Sequence, residues 1–575
     1  MLRSVRSRFK KSRALAAAKP ETPWPSWTPR QRPDSPSEPS SNSMSSLRFL
    51  DLCVIAIYFV AVALIGLKCA RRQTSTEAYF VARRSIPHWA MGLSVFATII
   101  SSITFIAFPG AAYKGNWNLL VPGFMAVGVL LLLGTTLITF FRHAVGMSAY
   151  EYFEKRFGYS ARAYSAMAFT AGHFSKMGFV LFTITAAICG MTGWDKYQVI
   201  VGVGFVTVLY TLIGGLEAVI WTEVLQGIVK LIGVAVVIGV LVSIMPGGAG
   251  AAFHLAAEQK KFSLGSFDFN LSQNNNFWVM LLYGSFWYLQ KYAADQTLVQ
   301  RYLVAKSDRD ALKGVALGAG LCVPTWTAFM LVGTLLWAYY QLSGEVFPAH
   351  LLDKNGTVIA DQVFPFFLTT KIPAGLGGIF MAALFSAAMS TMSSDLNCLS
   401  AVGVEDYYRK LRPDSSDKEQ LFVGKIIVAF CGLVAVGIGV FIARKGESAL
   451  ALYYAATAIV SAGLAGMFLL AFFSRRANRQ GLWIGIGCAL AFTAWATLTG
   501  GKHQMLDLGW NFTWPDVMIG VGANVIVPLV GFSASWFFPA DKNVKTEWTF
   551  WGWMEQRKTL GAKAAAPLEV VGANP

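Results

Sequence analysis

The sequence predicts an all-α, multi-pass membrane protein. Of its 575 residues, 55% are hydrophobic and 14% are charged, which is too apolar a balance for a single soluble core inside a polar shell. Apolar runs of about 20 residues, the length of helix that crosses a hydrocarbon layer of about 30 Å, recur from residue 50 to residue 537. The ten-residue apolar and polar alternation of membrane barrel strands is missing from the sequence. The spanning elements are therefore expected to be helices.

Thirteen spanning helices are expected. Their predicted ranges are 49 to 68, 87 to 110, 119 to 141, 161 to 191, 197 to 213, 216 to 245, 277 to 301, 314 to 341, 373 to 404, 422 to 443, 448 to 473, 482 to 499 and 515 to 537. The helix at 87 to 110 contains a polar run near its middle, and a second polar-interrupted helix follows about 190 residues later. Two broken helices placed half a length apart are typical of inverted repeats.

This spacing predicts a division of the chain into six parts. They are a basic tail at 1–46, an accessory first helix at 47–72, a five-helix repeat at 87–246, a second five-helix repeat at 277–473, two accessory helices at 482–537 and a C-terminal tail at 538–575.

The distribution of Lys and Arg predicts the orientation. Connections rich in these residues face the cytoplasm, and in this chain they are 68 to 84, 142 to 162, 301 to 313, 409 to 412 and 475 to 479. We therefore expect a bacterial-type inner membrane protein with its N-terminus outside and its C-terminus in the cytoplasm.

The first 43 residues conflict with this orientation, because they carry nine Lys or Arg that an outward N-terminus would have to translocate. They lack the apolar stretch of a signal peptide. We predict that translation starts at Met44, so that N-terminal sequencing of the native protein begins there. Recovery of a peptide from the first forty residues would contradict this prediction.

Composition also argues against other functions. The net charge of +17 is spread over particular loops rather than over one basic face, so we expect no nucleic-acid partner. The seven cysteines lie singly in or at the ends of apolar helices, without the paired spacing of a zinc site. The sequence contains no phosphate-binding loop and no nucleophile elbow. We therefore do not expect an enzyme.

Three carboxylates fall within apolar helices. Glu223 and Asp395 lie inside their helices, and Asp295 lies toward the end of its helix. An ionisable group at this depth is costly and commonly marks an ion or solute pathway. We predict that Glu223 and Asp395 line a second ion site or an exit path. The alternative is a structural ion pair or a helix cap.

The helix at 373 to 404 is dense in small and hydroxylic residues. Ala387, Ser390 and Thr391 share one of its faces. Hydroxyls and free carbonyls are oxygen ligands suited to a hard cation such as sodium. The alternative is that these small residues let two helices approach closely.

Five stretches, in order, resemble the sodium:solute symporter family. They read EAYFVARRSIP at 77–87, EYFEKRFG at 151–158, GGLEAVIWTEVLQ at 214–226, DQTLVQRYL at 295–303 and AALFSAAMSTMSSDLNCLS at 382–400. The resemblance extends over nearly all of residues 50 to 475. It implies a LeuT-like core of two inverted five-helix repeats, and sodium-coupled import of a small solute by alternating access.

The resemblance also implies a sodium site. Its ligands would be the backbone carbonyls of Ala97, Ile100 and Ala387 and the hydroxyls of Ser390 and Thr391. Glu223 replaces the Asp that the family usually has, which leaves both a second sodium ion and proton coupling open.

The solute is expected to contact polar and aromatic residues of three helices. The candidates are Ser101, Ser102, Thr104, His173, Lys176, Tyr288, Lys291 and Tyr292. The sequence around Lys176 resembles the sialic-acid branch of the family, where a basic residue holds the solute carboxylate, although that branch has Arg. The alternatives are that Lys176 pairs with a carboxylate such as Glu223, that His173 makes a core hydrogen bond, and that Lys291 balances Asp295.

We therefore expect a sugar acid or sialic acid as the solute. A neutral sugar, inositol or a small monocarboxylate is the alternative, and a transporter-like sensor is less favoured. The expected partners are the solute, sodium and the lipid bilayer, and the expected state is a monomer.

Overall fold

The structure is a computed structural model that describes residues 49–70, 73–445, 463–500, 504–539 and 546–565. The predicted basic tail and the prediction of a start at Met44 lie outside these residues, as does the end of the predicted C-terminal tail. Within the described ranges the chain is helical, with three isolated β-bridges and no longer strand. The predicted helical fold class is confirmed.

The helices follow one another with short connections. In chain order they are α1 (Phe49–Ala70), α2 (Thr76–Val81), α3 (His88–Ile99), α4 (Ser102–Lys114), α5 (Trp117–Ala144), α6 (Glu151–Phe157), α7 (Tyr159–Thr192), α8 (Lys196–Ser243), α9 (Gly248–Glu258), α10 (Phe277–Ala293), α11 (Gln296–Leu303), α12 (Asp308–Ser343), α13 (Ala360–Lys371), α14 (Leu376–Val402), α15 (Asp417–Lys445), α16 (Leu464–Phe473), α17 (Arg479–Thr499), α18 (Val517–Ser535) and α19 (Phe550–Ala565).

The predicted count of thirteen spans is not confirmed. In the described part of the chain, nine helices are long and apolar enough to cross a membrane, or ten if α3 and α4 form one span. The two helices predicted at 197 to 213 and 216 to 245 are present as the two halves of one long element, α8, which is kinked at Gly215. The helix predicted at 448 to 473 lies partly on residues that the structure does not describe.

Both predicted broken helices are present. Helix α3 ends at Ile99 and α4 begins at Ser102, with a bend of 58° between them. Ile100 and Ser101 have extended backbone angles at the break. The second broken helix is the pair α10 and α11, which are separated by Ala294 and Asp295.

Helix α1 is attached to the start of α14 by a buried carboxylate. Asp51 accepts hydrogen bonds from the backbone N–H groups of Gly375 (2.8 Å) and Gly378 (2.6 Å). These are donors that the first turn of a helix leaves without an intrahelical partner, and the positive end of the helix dipole favours an anion there. The contact fixes the position of α14, which carries several candidate site residues.

Loops that the charge pattern places in the cytoplasm contact one another. Arg142 binds Asp308 at 2.7 Å. Lys410 binds Glu154 at 2.7 Å. These contacts are consistent with one shared face for those loops. The orientation of the termini stays a prediction.

Helix α8 changes direction at a glycine. At 1.5 Å per residue, its 48 residues would extend about 70 Å if straight, more than twice the hydrocarbon thickness. Gly215 interrupts it with φ 56° and ψ −158°. A Cβ atom at Gly215 would lie 2.7 Å from Cδ2 of Tyr79 and 2.9 Å from its carbonyl oxygen. Both the backbone angles and the space therefore require glycine.

We expect Gly215→Ala to lower the stability of the purified protein by about 1–3 kcal/mol, because alanine is strained at this φ and collides with Tyr79. Thermal unfolding in detergent measures the effect. Gly202→Ala, in the same helix with no atom within 4 Å of the added Cβ, is the matched control and should lose no stability. Equal melting temperatures for both variants would contradict the argument.

Candidate cation and solute sites

The break between α3 and α4 exposes backbone carbonyls inside the protein. The carbonyl oxygens of Ala97 and Ile100 lie at the C-terminal end of α3, where the helix dipole is negative. Both residues are fully buried. Helix α14 passes alongside and brings the Ser390 hydroxyl to the same place, where Ser390 Oγ donates to the Ala97 oxygen at 3.0 Å. The break therefore forms part of the predicted cation site.

A lysine from α8 occupies the centre of this group. Nζ of Lys230 lies 2.7 Å from the Ala97 oxygen, 2.6 Å from the Ile100 oxygen and 2.7 Å from Ser390 Oγ. Lys230 is fully buried. Its ammonium therefore binds three of the oxygens predicted to hold sodium.

The other two predicted ligands lie next to this group but bond to each other. Thr391 Oγ1 donates to the Ala387 carbonyl at 3.1 Å within α14. Oxygen ligands of this kind suit a hard monovalent cation, but a sodium ion does not fit among Ala97, Ile100 and Ser390 while Nζ is hydrogen-bonded to all three. The sodium-ligand role of these five residues stays a prediction.

Sequence reasoning missed Lys230. The signal was present, because a lysine inside a predicted membrane helix is as costly as the carboxylates that were singled out. Glu223, which was singled out, lies seven residues earlier in α8. Two helical turns separate the two residues, so both lie on the same side of α8.

Glu223 forms a second buried cluster with Arg301 of α11. The guanidinium Nη2 lies 2.8 Å and 3.0 Å from the two carboxylate oxygens. Ser94 and Ser394 also donate to this carboxylate. The side chains of Glu223 and Arg301 are fully buried. The Glu223 carboxylate therefore forms an ion pair with Arg301, which is one of its two predicted alternatives, and its role at a second ion site or an exit path stays a prediction.

A third cluster contains most of the charged solute candidates. Asp395 Oδ1 lies 2.9 Å from His173 Nδ1 and 3.0 Å from Lys176 Nζ. Lys291 pairs with Asp295, as their spacing of four residues indicated. The His173 Nε2 atom lies 3.5 Å from Asp295, so that one imidazole connects both carboxylates. Lys176 thus pairs with Asp395 rather than with Glu223.

Asp295 also caps a helix. It precedes α11 and accepts a hydrogen bond from the backbone N–H of Thr297 at 2.9 Å. This role is one of the two alternatives that its position near a helix end suggested.

The remaining solute candidates lie on the two broken helices. Ser101 is half-buried at the break, and Thr104 is buried one turn into α4. The buried hydroxyl of Ser102 has no hydrogen-bond partner among the described residues. The Tyr292 hydroxyl donates to the Ala126 carbonyl at 2.6 Å. The Tyr288 ring packs edge-on against Trp326, so both tyrosines have packing contacts.

Together these features define a class of protein. Apolar spanning helices, together with the bent helix pair α3 and α4, enclose buried charges and freed carbonyls, which is the arrangement of secondary transporters. The chain matches the sodium:solute symporter family over residues 79–487 and belongs to that family. It is a multi-pass membrane transporter and not an enzyme.

Individual relatives agree with this assignment. The chain is 29% identical over 519 residues to the sodium/sialic acid symporter NanT of Aliivibrio fischeri. This alignment covers 90% of this chain and 98% of the relative. It is 30% identical over 447 residues to the sodium/sialic acid symporter SiaT of Proteus mirabilis. This alignment covers 76% of this chain and 87% of the relative. A solved structure of a Na⁺-coupled sialic acid symporter, substrate-bound and outward-open, aligns with a TM-score of 0.76 at 27% identity, covering 86% of this chain and 99% of that one.

The resemblance drawn from the five motifs is therefore confirmed, together with the LeuT-like fold class. Sodium is the coupling ion of the family, as expected. The boundaries of the two repeats stay predictions.

The buried pair between Lys176 and Asp395 should contribute measurably to stability. We expect Asp395→Asn and Lys176→Met each to destabilise the protein, because each leaves a charged group without its partner. The double variant should lose less stability than the sum of the losses of the two single variants. The difference, measured by thermal unfolding, is the coupling free energy between the two side chains and should be about 1–3 kcal/mol.

The matched control is the more exposed pair of Lys371 and Glu345, which is 2.7 Å apart. A double-mutant cycle on Lys371 and Glu345 should give a coupling free energy below about 1 kcal/mol. Additive losses at Lys176 and Asp395 would show that the two side chains do not interact in the purified protein.

Proposed function

We propose that this protein imports an acidic sugar of the sialic acid class by alternating access. The observation that carries the proposal is the Lys176 ammonium. Its side chain keeps 25% of its surface exposed, although it lies on the spanning helix α7. A cation at this depth is costly unless it faces water or an anion, and a solute carboxylate is such an anion.

The position of Lys176 supports this role. Helix α7 contacts both α4, the second half of the broken helix, and α14. The hydroxyls of Ser101, Ser102 and Thr104 lie on or beside the first turn of α4. A carboxylate bound by Lys176 would place the rest of a small sugar toward these hydroxyls. They donate and accept hydrogen bonds, as sugar hydroxyls require.

Asp395 would regulate this recognition. It holds Lys176 and His173 through one oxygen, while its second oxygen, Oδ2, has no hydrogen-bond partner in the described ranges. A solute carboxylate would share the Lys176 ammonium with Asp395, because an ammonium has three donors. The two relatives named as sialic acid symporters support the same class of solute.

We further propose that the protein works as a monomer in a bacterial-type inner membrane, with its N-terminus outside and its C-terminus in the cytoplasm. The distribution of Lys and Arg supports this orientation. So do the contacts among the loops that carry them, such as that between Arg142 and Asp308.

The proposal predicts selective stabilisation by an acidic sugar. Sialic acid should raise the melting temperature of the purified protein, whereas neutral sugars, inositol, amino acids and monocarboxylates should not. Each solute is measured in sodium and in choline buffer. Stabilisation by a neutral sugar instead would contradict the role of Lys176. Stabilisation by a monocarboxylate alone would contradict the sialic acid class but would agree with a carboxylate bound by Lys176.

Variants of Lys176 test whether its ammonium contacts the solute. Lys176→Met should weaken sialic acid binding by about 10- to 100-fold, the loss expected for one hydrogen bond to a charged group. Lys176→Arg should restore binding, because a guanidinium also binds a carboxylate and can do so through two hydrogen bonds. Equal affinity in the Met and Arg variants would show that Lys176 does not contact the solute.

A further inference from the structure

We propose that the ammonium of Lys230 is the resident cation at the predicted sodium position, and that no sodium ion binds among Ala97, Ile100 and Ser390 in this protein. The proposal depends on the symporter fold but not on the identity of the solute. It distinguishes this chain from a transporter in which a free ion occupies the helix break.

The hydrogen-bond donors of Lys230 match the acceptors around Nζ. A protonated lysine has three N–H donors and no acceptor. Three oxygens surround Nζ at 2.6–2.7 Å, two of them carbonyls that accept only and one a hydroxyl that already donates to Ala97. Each donor therefore has one acceptor, and the charged form of Lys230 is fully hydrogen-bonded.

Backbone and hydroxyl oxygens, rather than carboxylates, surround the ammonium in the described residues. In the part of the chain that the structure describes, Lys230 forms no ion pair with an acidic side chain. Glu223, the nearest acidic residue on its own helix, is bound by Arg301. The charge of Lys230 is therefore held by backbone carbonyls and a hydroxyl. Carbonyl oxygens of this kind hold a monovalent ion in the same way, by replacing its hydration shell.

The C-terminal end of helix α3 faces the ammonium. Ala97 and Ile100 lie at the C-terminal end of α3, a helix of 12 residues. The partial negative charge at such an end favours a cation, and the ends of broken helices are where sodium binds in transporters of this architecture. Lys230 supplies that cation from α8 without an ion from solution.

A tethered cation differs from a free ion in one respect. The ammonium joins α3, α8 and α14 through Nζ, and it remains attached to α8 when the protein changes conformation. Sodium in the medium is then not needed to hold the broken helix against α14. Any sodium dependence of binding or transport would originate at another position.

Sodium binding by the purified protein tests the proposal. The parent protein, Lys230→Ala, Lys230→Met and the double variant Lys230→Ala, Ser390→Ala are compared by equilibrium binding of radioactive sodium without solute. We expect Lys230→Ala to bind one more sodium ion per chain than the parent, because the freed oxygens become available. Lys230→Met, which fills the same space without a charge, and the double variant should not gain this ion.

The same sodium stoichiometry in the parent and in folded Lys230→Ala would overturn the proposal. If Lys230→Ala does not fold, Ser390→Ala in the parent background decides the question. A parent that binds no sodium, or whose sodium affinity is the same with and without Ser390→Ala, supports the proposal. A tenfold or larger loss of sodium affinity in Ser390→Ala would show that the ion does occupy this site.

These outcomes are independent of the proposed solute. Sodium binding is measured without sialic acid, so failure of sialic acid to stabilise the protein would contradict the proposed function alone. A gain of sodium in Lys230→Ala would still support the role of Lys230.

Discussion

The structure depends on one constraint: the backbone groups of a broken helix inside the membrane need hydrogen-bond partners within the protein. Lipid offers no hydrogen bonds, so every backbone group released by the break must find a partner inside the protein. The carbonyls of Ala97 and Ile100 are released between α3 and α4, and Lys230 and Ser390 bind the Ala97 oxygen while Lys230 also binds that of Ile100. A buried lysine and a serine therefore bind the carbonyls that are released at the bend of 58°, and α4 begins directly after this bend.

Helix α14 connects the three buried clusters. Ser390 contacts Lys230, Ser394 contacts Glu223 and Arg301, and Asp395 contacts His173 and Lys176. These three α14 residues lie within six positions, so a small movement of α14 changes all three sets of contacts together. Asp51 fixes the opposite end of the helix through the N–H groups of Gly375 and Gly378. A transporter that alternates between two states needs this kind of linked contact between its helices.

The sequence predicted features that depend on local pattern. The polar run near Ser101 indicated the break, and the motifs indicated the family. The predicted boundary between two helices at 214 and 215 coincides with the kink of α8 at Gly215, whose backbone angles are not helical. The partner of Lys176 lies 219 residues away, and no pattern within α7 identifies it. Lys230 was not predicted as a site residue, although a buried lysine within a membrane helix requires a partner for the same physical reason as a buried carboxylate.

The exchange of a free ion for a tethered ammonium changes the energetics of uptake. A sodium ion that enters an inside-negative cell releases about 2.3 kcal/mol of free energy per 100 mV of membrane potential. The ammonium of Lys230 stays with the protein and contributes no such energy, even though it carries the same charge. An acidic sugar that enters an inside-negative cell is opposed by the same potential. Accumulation of an anion against its electrochemical gradient through this protein therefore requires a cation that enters at another position, or an anion that leaves in exchange.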